Sequence, residues 1–455
     1  MRNLINIRLC VAVIIILLIA SSCKKDWLDV KPNKALVVPK SIEDYQAILD
    51  NYVIMNGSLP SLGEVCSDDY YLSYNIWQSR NPFLRNAYTW AKDVYEGSVV
   101  FDWSEPYRQV FYSNVALEGL NEIEPNSMQM ESWNSAKGSA LFFRAYAHYH
   151  LATVFATPYN ESSASSDLGI PIRLNSDVKE KSSRNSIKQT YDQVITDLND
   201  AVGLLPGTVQ YKNRPSKPSA FALLARIYLS IGKYDEAEKY ADSCLKLYNT
   251  LLDYNSLANT NNPFSRGNSE VIFHSTLFFY NVFLPANLIV DSTLFQSYNT
   301  NDLRKSRFFR LVSNNQTFKG SYDGSNTLFG GLATDEILLI RAECMARRGY
   351  KDGAMNDLNT LLVKRWNNAV TYSPLTASSS SDALSQVLKE RRKELLFRGL
   401  RWTDLRRLNK EPSFEVTLKR NLNGQLTTLQ PNDPRYVLPI PDNEITMSGI
   451  QQNPR

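Results

Sequence analysis

The stretch from Ala220 to Tyr248 limits the possible folds more than any other part of the chain. Leu224, Ile227, Tyr228 and Ile231 share one helical face. After Gly232-Lys233-Tyr234 a second run follows, Ala237, Tyr240, Ala241, Cys244, Leu245 and Tyr248. Spacings of three and four throughout predict two amphipathic helices. Gly232 is a natural stop for the first, and Asp235, with Glu238 three residues on, reads as the N-cap of the second. So little chain lies between them that they must fold back as a tight hairpin. One hairpin cannot bury its own apolar face, so it needs others stacked against it.

The pattern recurs. Leu223-Leu224-Ala225-Arg226-Ile227-Tyr228 aligns with Leu338-Leu339-Ile340-Arg341-Ala342-Glu343, and again with Phe142-Phe143-Arg144-Ala145-Tyr146. In the second copy Gly349-Tyr350-Lys351-Asp352 makes the turn, and Ala354, Leu358, Leu361 and Leu362 continue the partner helix. A Gly-x-Tyr-type turn followed by a close-packed Ala is the tetratricopeptide pattern. Further helical runs are Tyr107 to Ile123, Ile187 to Leu205, and Asp382 to Leu408 with Gly399 interrupting. The expected fold is mostly α. About four tetratricopeptide-like hairpins, near 106–157, 187–249, 335–366 and 382–409, form a scaffold without uniform spacing. Residues 50–104, 156–186, 250–334 and 410–455 are rich in Asn, Ser, Gly, Pro and aromatics, and read as insertions forming an irregular, loop-rich lobe. Long irregular segments on a rigid frame are where binding function concentrates.

The start of the chain reads as an address. Arg2 and Arg8 precede the apolar run Val11 to Ala20, then Ser21, Ser22 and Cys23. This is the layout of a cleaved secretory signal over 1–22, and the run is short for a membrane-spanning helix. A cysteine directly after small residues is where a bacterial lipoprotein is cleaved and acylated, so Cys23 is the expected lipidation site. An ordinary signal followed by an incidental cysteine is the alternative, and Ala20 stands where Leu is usual. Residues 23–39 form the lipidated start and a polar tether, and 40–455 a single domain. Losing the signal takes Arg2 and Arg8 with it, so the net charge falls from +4 to +2. Near-neutral, dispersed charge argues against nucleic acid as a partner.

No local pattern points to catalysis, a metal or a cofactor: HExxH, phosphate-loop, GxSxG and GxGxxG motifs are all absent. His148 and His150 are two apart on a predicted helix and point in different directions. His148 shares a face with Leu141, Ala145, Ala152 and Phe155 and reads as a core residue, and His274 lies in an apolar run with no partner in view. Cys66, Cys244 and Cys344 are odd in number and widely spaced, and read as small buried hydrophobes. The run Lys389 to Lys393, with Arg398, Arg401, Arg406 and Arg407 beyond it, reads as an ion-paired or solvated helix face, with Glu390–Lys393 and Glu394–Arg398 spaced to pair.

Aromatic residues are the informative excess. Tyr70, Tyr71, Tyr74, Trp77, Phe83, Tyr88 and Trp90 crowd one non-periodic segment, and Phe278, Phe279, Tyr280, Phe283, Phe295 and Tyr298 another. An aromatic ring stacks on the apolar face of a sugar while its polar tip bonds outward, so such loops suit an oligosaccharide or a peptide. Tyr74, Trp77, Trp90, Tyr280 and Tyr298 are the candidate ligand contacts by position.

Several stretches together resemble one family. Cys23-Lys24-Lys25-Asp26-Trp27-Leu28-Asp29-Val30-Lys31-Pro32, Trp103-Ser104-Glu105-Pro106-Tyr107-Arg108, and Phe143-Arg144-Ala145 come first. Glu390-Arg391-Arg392-Lys393-Glu394-Leu395 and Arg401-Trp402-Thr403-Asp404-Leu405-Arg406-Arg407 follow, then Leu438-Pro439-Ile440-Pro441. In this order they resemble the SusD/RagB-type outer-membrane lipoproteins of Bacteroidetes. The resemblance implies four tetratricopeptide hairpins carrying an irregular lobe, and no enzymatic activity. It also implies capture of glycans, or in some members peptides, on the outer face of the outer membrane for a SusC-like TonB-dependent transporter. The alternative is a repeat adaptor that only joins proteins. The two charged motifs are expected to be structural, packing the last repeat.

Overall fold

A computed structural model describes residues 39–455; the expectations for the signal segment, for Cys23 and for the tether up to residue 38 lie outside them. Ten helices of eight or more residues carry the described chain. They are α1 (Ile42–Leu49), α2 (Phe101–Asn121), α3 (Met130–Phe155), α4 (Ile187–Leu204), α5 (Lys217–Ser230), α6 (Tyr234–Leu247), α7 (Thr334–Arg347), α8 (Lys351–Val363), α9 (Ser380–Glu394) and α10 (Arg401–Leu408). Each of α2 to α8 packs on the next, α9 packs on both α7 and α8, and α1 lies against α2 and α3. The mostly-α expectation is met, and Ser41–Arg455 form one compact unit.

Local chemistry explains where these helices begin and end. Gly232 and Gly349 end α5 and α7 at φ +77° and +90°, the left-handed conformation in which a side chain is strained. Ser186 and Ser216 make capping boxes with Gln189 and Ser219 at the starts of α4 and α5. The N-cap of α6 is Lys233, not Asp235, which sits inside the first turn. There its carboxylate faces the positive end of the helix dipole instead of capping an N–H. Helix α2 starts at Phe101, before the expected 106, and holds Pro106 inside it. A proline so near the start removes only the bond its N–H would give to the Asp102 carbonyl.

Helix α3 is the centre of the molecule. Every residue from Gly138 to Phe155 is buried, so it is apolar all round and not on one face. His148 and His150 are therefore both interior. Burial, with the nearby Arg144 charge, pushes the His148 imidazole down to about 3, and the Arg173 N–H donates to its Nε2 at 3.4 Å.

The irregular lobe is tied by two-stranded ladders, all antiparallel. β1 (Tyr70–Tyr71) pairs β3 (Ile289–Val290), β2 (Val271–Phe273) pairs β6 (Leu332–Ala333), and β4 (Phe309–Val312) pairs β5 (Asn315–Phe318). β7 (Leu418–Leu422) pairs β8 (Gln425–Leu429) through Asn423-Gly424, at φ +53° and +83°. That dipeptide is a strong hairpin signal, and the reading of 410–455 as a loop-rich insertion passed over it.

The run from Glu390 to Arg407 is not a solvated face. Arg304 Nη1 and Nη2 reach Glu394 and Glu390 at 2.9 and 2.6 Å, and Arg365 lies 2.7 Å from Glu394. Arg391 and Arg407 share Asp404, each at 2.8 Å, and Arg407 also holds Glu343. Arg401 bonds Asp68 at 2.6 Å across 333 residues of chain. Glu390 and Lys393 do pair, at 2.7 Å. Glu394 does not pair with Arg398, whose partner is Asp335 at 2.7 Å. The charges face inward and fasten the last helices to the lobe, because a buried ion survives only with its counter-ion beside it.

Candidate ligand-binding surface

The exposed aromatics rest on a buried clamp. Asp102, the second residue of α2, is wholly buried. Its Oδ1 accepts from the Ser61 and Leu62 N–H groups at 2.5 and 2.7 Å, and its Oδ2 from the Tyr280 hydroxyl at 2.5 Å. Burial pushes the Asp102 carboxyl up to about 6, and the three donors work against that rise. The clamp fixes three remote segments together, and the Phe278 N–H donates to Leu59 O at 2.7 Å beside it. Above it the Phe101 and Phe278 rings stack at 5.2 Å and 16°, and Phe279 stands exposed next to them.

The second aromatic segment joins through β1 and β3, with Tyr70 opposite Val290 and Tyr71 opposite Ile289. Strand alternation turns Tyr70 inward and leaves Tyr71 in solvent. A five-residue helix then runs from Tyr74 to Gln78 and buries none of its residues. The Tyr74 and Trp77 rings lie 5.9 Å apart. Trp77 is half-buried: its Nε1 donates to Arg85 O at 3.2 Å, with the Arg85 guanidinium 5.7 Å over the ring. Tyr71, Tyr74, Trp77, Phe101, Phe278 and Phe279 thus offer ring surface to solvent on backbone that ladder and clamp hold still. Such rings stack on the C–H face of a pyranose without having to be ordered first.

Three of the five sequence candidates are not on this surface. Trp90 is 1% exposed, and its Nε1 donates to Cys66 O at 3.0 Å while Arg420 covers its ring. Tyr280 is buried as the clamp's donor. Tyr298 is 2% exposed, and its hydroxyl donates to Lys393 O at 2.8 Å. Each polar tip has found a partner inside, so these rings pin loops to the scaffold. Tyr74 and Trp77 remain accessible. Phe101, Phe278 and Phe279 were not among the candidates; the only signal for the pair at 278–279 was the aromatic run itself, and Phe101 had none.

A separate groove of about 580 Å³ follows α2, where Trp103, Tyr107 and Phe111, four residues apart, face Arg173, Lys179, Glu444 and Met447. The Tyr107 hydroxyl donates to Pro171 O at 2.8 Å and holds its far wall.

His274 has the partner that its sequence context hid: Nε2 lies 3.2 Å from Asp323 Oδ1. Asp323 also holds Arg266 at 3.0 Å, and Tyr52 stacks on the imidazole. Glu270, Asp335 and Glu394 converge closely enough to hold a cation. Arg365 already stands among them, 2.6 Å from Glu270 and 2.7 Å from Glu394, and supplies the positive charge there. Cys66, Cys244 and Cys344 are free and buried, and burial pushes the Cys66 thiol up to about 12, far from reactivity. Among the described residues no helix is long and apolar enough to cross a membrane.

Comparison with known proteins agrees over most of the chain. A family model described as "Starch-binding associating with outer membrane" matches residues 26–229, and one described as "SusD family" matches 334–455. A SusD-like protein, P2, of Formosa agariphila is 29% identical over 157 residues, 34% of this chain and 28% of that protein. The chain thus spans well under two thirds of that relative's length. A SusD superfamily structure from Bacteroides thetaiotaomicron superposes with a TM-score of 0.74 at 21% identity, covering 91% of this chain and all of the other (100%). A SusD-like carbohydrate binding protein from Bacteroides vulgatus gives 0.69 at 21% identity, covering 90% and 97%. At these identities the structures show the fold.

Proposed function

The chain belongs to the SusD/RagB family, and from that premise we propose that it is a non-catalytic carbohydrate-binding protein of the outer membrane. It captures oligosaccharides at the cell surface and passes them to a SusC-like TonB-dependent transporter, held by lipid on Cys23. The observation that carries this reading is the set of solvent-facing rings fixed by the Asp102 clamp and the β1–β3 ladder. The family's description and the carbohydrate-binding relative support the ligand class.

The test is affinity electrophoresis and calorimetry of the detergent-solubilised full-length protein against glycan and peptide panels. Binding to at least one glycan is expected, and Trp77→Ala weakens it about tenfold, the worth of one stacked ring. Binding to peptides alone, or to nothing while the transporter still co-purifies, overturns the glycan reading. Unchanged glycan affinity in both Trp77→Ala and Phe279→Ala moves the site to the α2 groove, where Tyr107→Ala is the next variant. Protease shaving of intact cells tests the outward orientation, which protection from the protease would contradict.

A further inference from the structure

Most buried arginines in this molecule have a counter-charge or backbone acceptors. Arg144, Arg226, Arg304, Arg365, Arg398 and Arg407 have carboxylates, while Arg406 and Arg420 donate to backbone carbonyls. One hollow in the lobe holds cations with no counter-charge beside them. It is lined by Asn259, Asn261, Ser306, Phe309, Arg310 and Lys319, with Arg307 adjoining in sequence. None of Arg307, Arg310 and Lys319 has a carboxylate within ion-pair distance among the described residues.

The details sharpen the imbalance. Arg310 projects from β4, its Nε is buried without an acceptor, and its guanidinium makes no hydrogen bond among the described residues. Arg307 reaches only the Ser306 hydroxyl at 3.2 Å, and its Nε is also buried and unpartnered. Lys319 is 8% exposed and gives its ammonium to Asn259 Oδ1 at 2.7 Å and Thr260 O at 2.8 Å, both neutral. Burial, then the Arg307 and Arg310 charges, hold Lys319 below the ordinary range of an ammonium. The Lys319 ammonium therefore feels both guanidinium charges. Holding like charges together, partly dehydrated and without counter-charge, is unfavourable by itself. An anion arriving in the hollow would relieve Arg310 and Lys319 together.

We propose that this hollow is a binding subsite for an anionic group, a carboxylate or a sulfate, so that the glycan this protein captures is an acidic one. Arg310 supplies a planar fork suited to two oxygens of such a group. Lys319 supplies a point charge, the Asn259 amide N–H groups supply neutral donors, and Phe309 offers an apolar wall to the sugar. The assignment of the anion to a glycan rests on the proposed function; the anion site itself does not.

The experiment separates the two. Full-length protein is run in gels containing polygalacturonate, alginate or carrageenan, and in matched gels of methyl-esterified pectin or desulfated carrageenan. Inorganic sulfate is titrated by calorimetry as the free anion. The expected result is retardation by at least one acidic polymer well beyond its neutral counterpart. Arg310→Gln and Lys319→Met should each weaken that binding about tenfold, and added salt should weaken it further. Arg310→Gln removes no intramolecular bond, so its melting temperature should match that of the parent, which keeps the test independent of folding. Sulfate bound through Arg310 with no glycan retained supports the anion site and removes the glycan reading. Retention by neutral polymers alone, or equal binding by parent and Arg310→Gln, overturns the anion site and leaves glycan capture standing. No binding of any acidic polymer or of sulfate overturns it as well.

Discussion

The three arginines that align across the repeats, Arg144, Arg226 and Arg341, do the same thing in three different settings, and that allows a graded test. Each reaches from its helix to a carboxylate on another. Arg144 forks onto Asp197 of α4 at 2.8 and 2.7 Å, Arg226 onto Glu336 of α7 at 2.7 and 2.6 Å, and Arg341 onto Asp357 of α8 at 2.7 and 2.9 Å. The geometry is constant while the exposure of the two side chains changes: 2% and 1% for Arg226–Glu336, 10% and 2% for Arg144–Asp197, 24% and 5% for Arg341–Asp357. Replacing the arginine by methionine keeps much of the volume and strands the acid. For Glu336, whose side chain is 1% exposed, the loss should approach the 3–5 kcal/mol of a broken buried pair, about 4 kcal/mol. For Asp197, which keeps the Gln193 amide at 2.9 Å, about 2–3 kcal/mol is expected. Arg341 also holds Asp242 of α6 at 3.1 Å, but with the arginine a quarter exposed solvent screening leaves about 1 kcal/mol at Asp357. Urea unfolding followed by circular dichroism reads all three. A double variant, Arg226→Met with Glu336→Leu, should recover most of the first loss, because the penalty lies in the stranded charge and not in the missing attraction. Equal losses at the three sites, or a double variant no better than Arg226→Met alone, would refute the argument that burial sets the cost.

Burial and the Asp69 charge push the Glu64 carboxyl up to about 8 from 4.5. The folded state therefore keeps a proton that the unfolded chain has released, and stability should fall as pH rises from about 4.5 through 8. Glu64→Gln should match the parent near pH 4.5 and exceed it above pH 8 in thermal melts; a parallel pair of curves would count against the assignment. His148 works in the opposite direction, since the unfolded chain takes up its proton near 6.5 and the fold only near 3, so its contribution is present above pH 6.5 and fades as pH falls towards 3. His148→Gln should make the acid limb of the stability curve shallower, whatever it does to the plateau, and an unchanged slope would show that His148 is protonated in the fold. At Gly331 an added Cβ would lie 2.1 Å from the Phe273 carbonyl, backbone of β2, whereas at Gly232 it meets nothing within 4 Å. Gly331→Ala should therefore cost clearly more than the roughly 1–2 kcal/mol of left-handed strain at Gly232→Ala, and the reverse order of melting temperatures would be decisive against it.

The scaffold was legible where an element is half-buried and short-range. Helices α6 and α8 show apolar spacings of three and four because each keeps a wet face, and α5 and α7, which are buried on nearly every side, were marked instead by the glycines that end them. Helix α3 has no wet face over Gly138–Phe155, so the same reading saw only part of its environment and assigned His148 to a stripe that does not exist. The aligned arginines were visible as a repeat, but their partners were not: Arg226 finds Glu336 110 residues away and Arg401 finds Asp68 at 333. For the same reason Glu390 to Arg407 read as pairs along one helix. Spacing can propose Glu394–Arg398, but only the fold brings in Arg304 and Arg365, whose rigid forks meet Glu394 within the core.

The aromatic loops show the limit most clearly. Tyr280 and Phe279 are neighbours in one loop, equally aromatic and equally non-periodic, and one is a buried hydrogen-bond donor while the other is open to solvent. What divides them is Asp102, 178 residues away. A tyrosine or tryptophan in an irregular segment can go inside only if its polar tip finds an acceptor there, as Tyr298 does at Lys393 and Trp90 at Cys66. Phenylalanine has no such requirement, yet Phe101, Phe278 and Phe279 are among the rings left facing solvent. A ring with no polar atom to satisfy gains from burial and is the easiest to hide, so three of them kept at the surface of a polar lobe cost stability that a ligand must return. Tyr71 and Tyr74 share that surface while Phe83 and Phe283 of the same segments are buried, so ring chemistry alone does not sort the two sets; the ladder and the clamp that fix the backbone do.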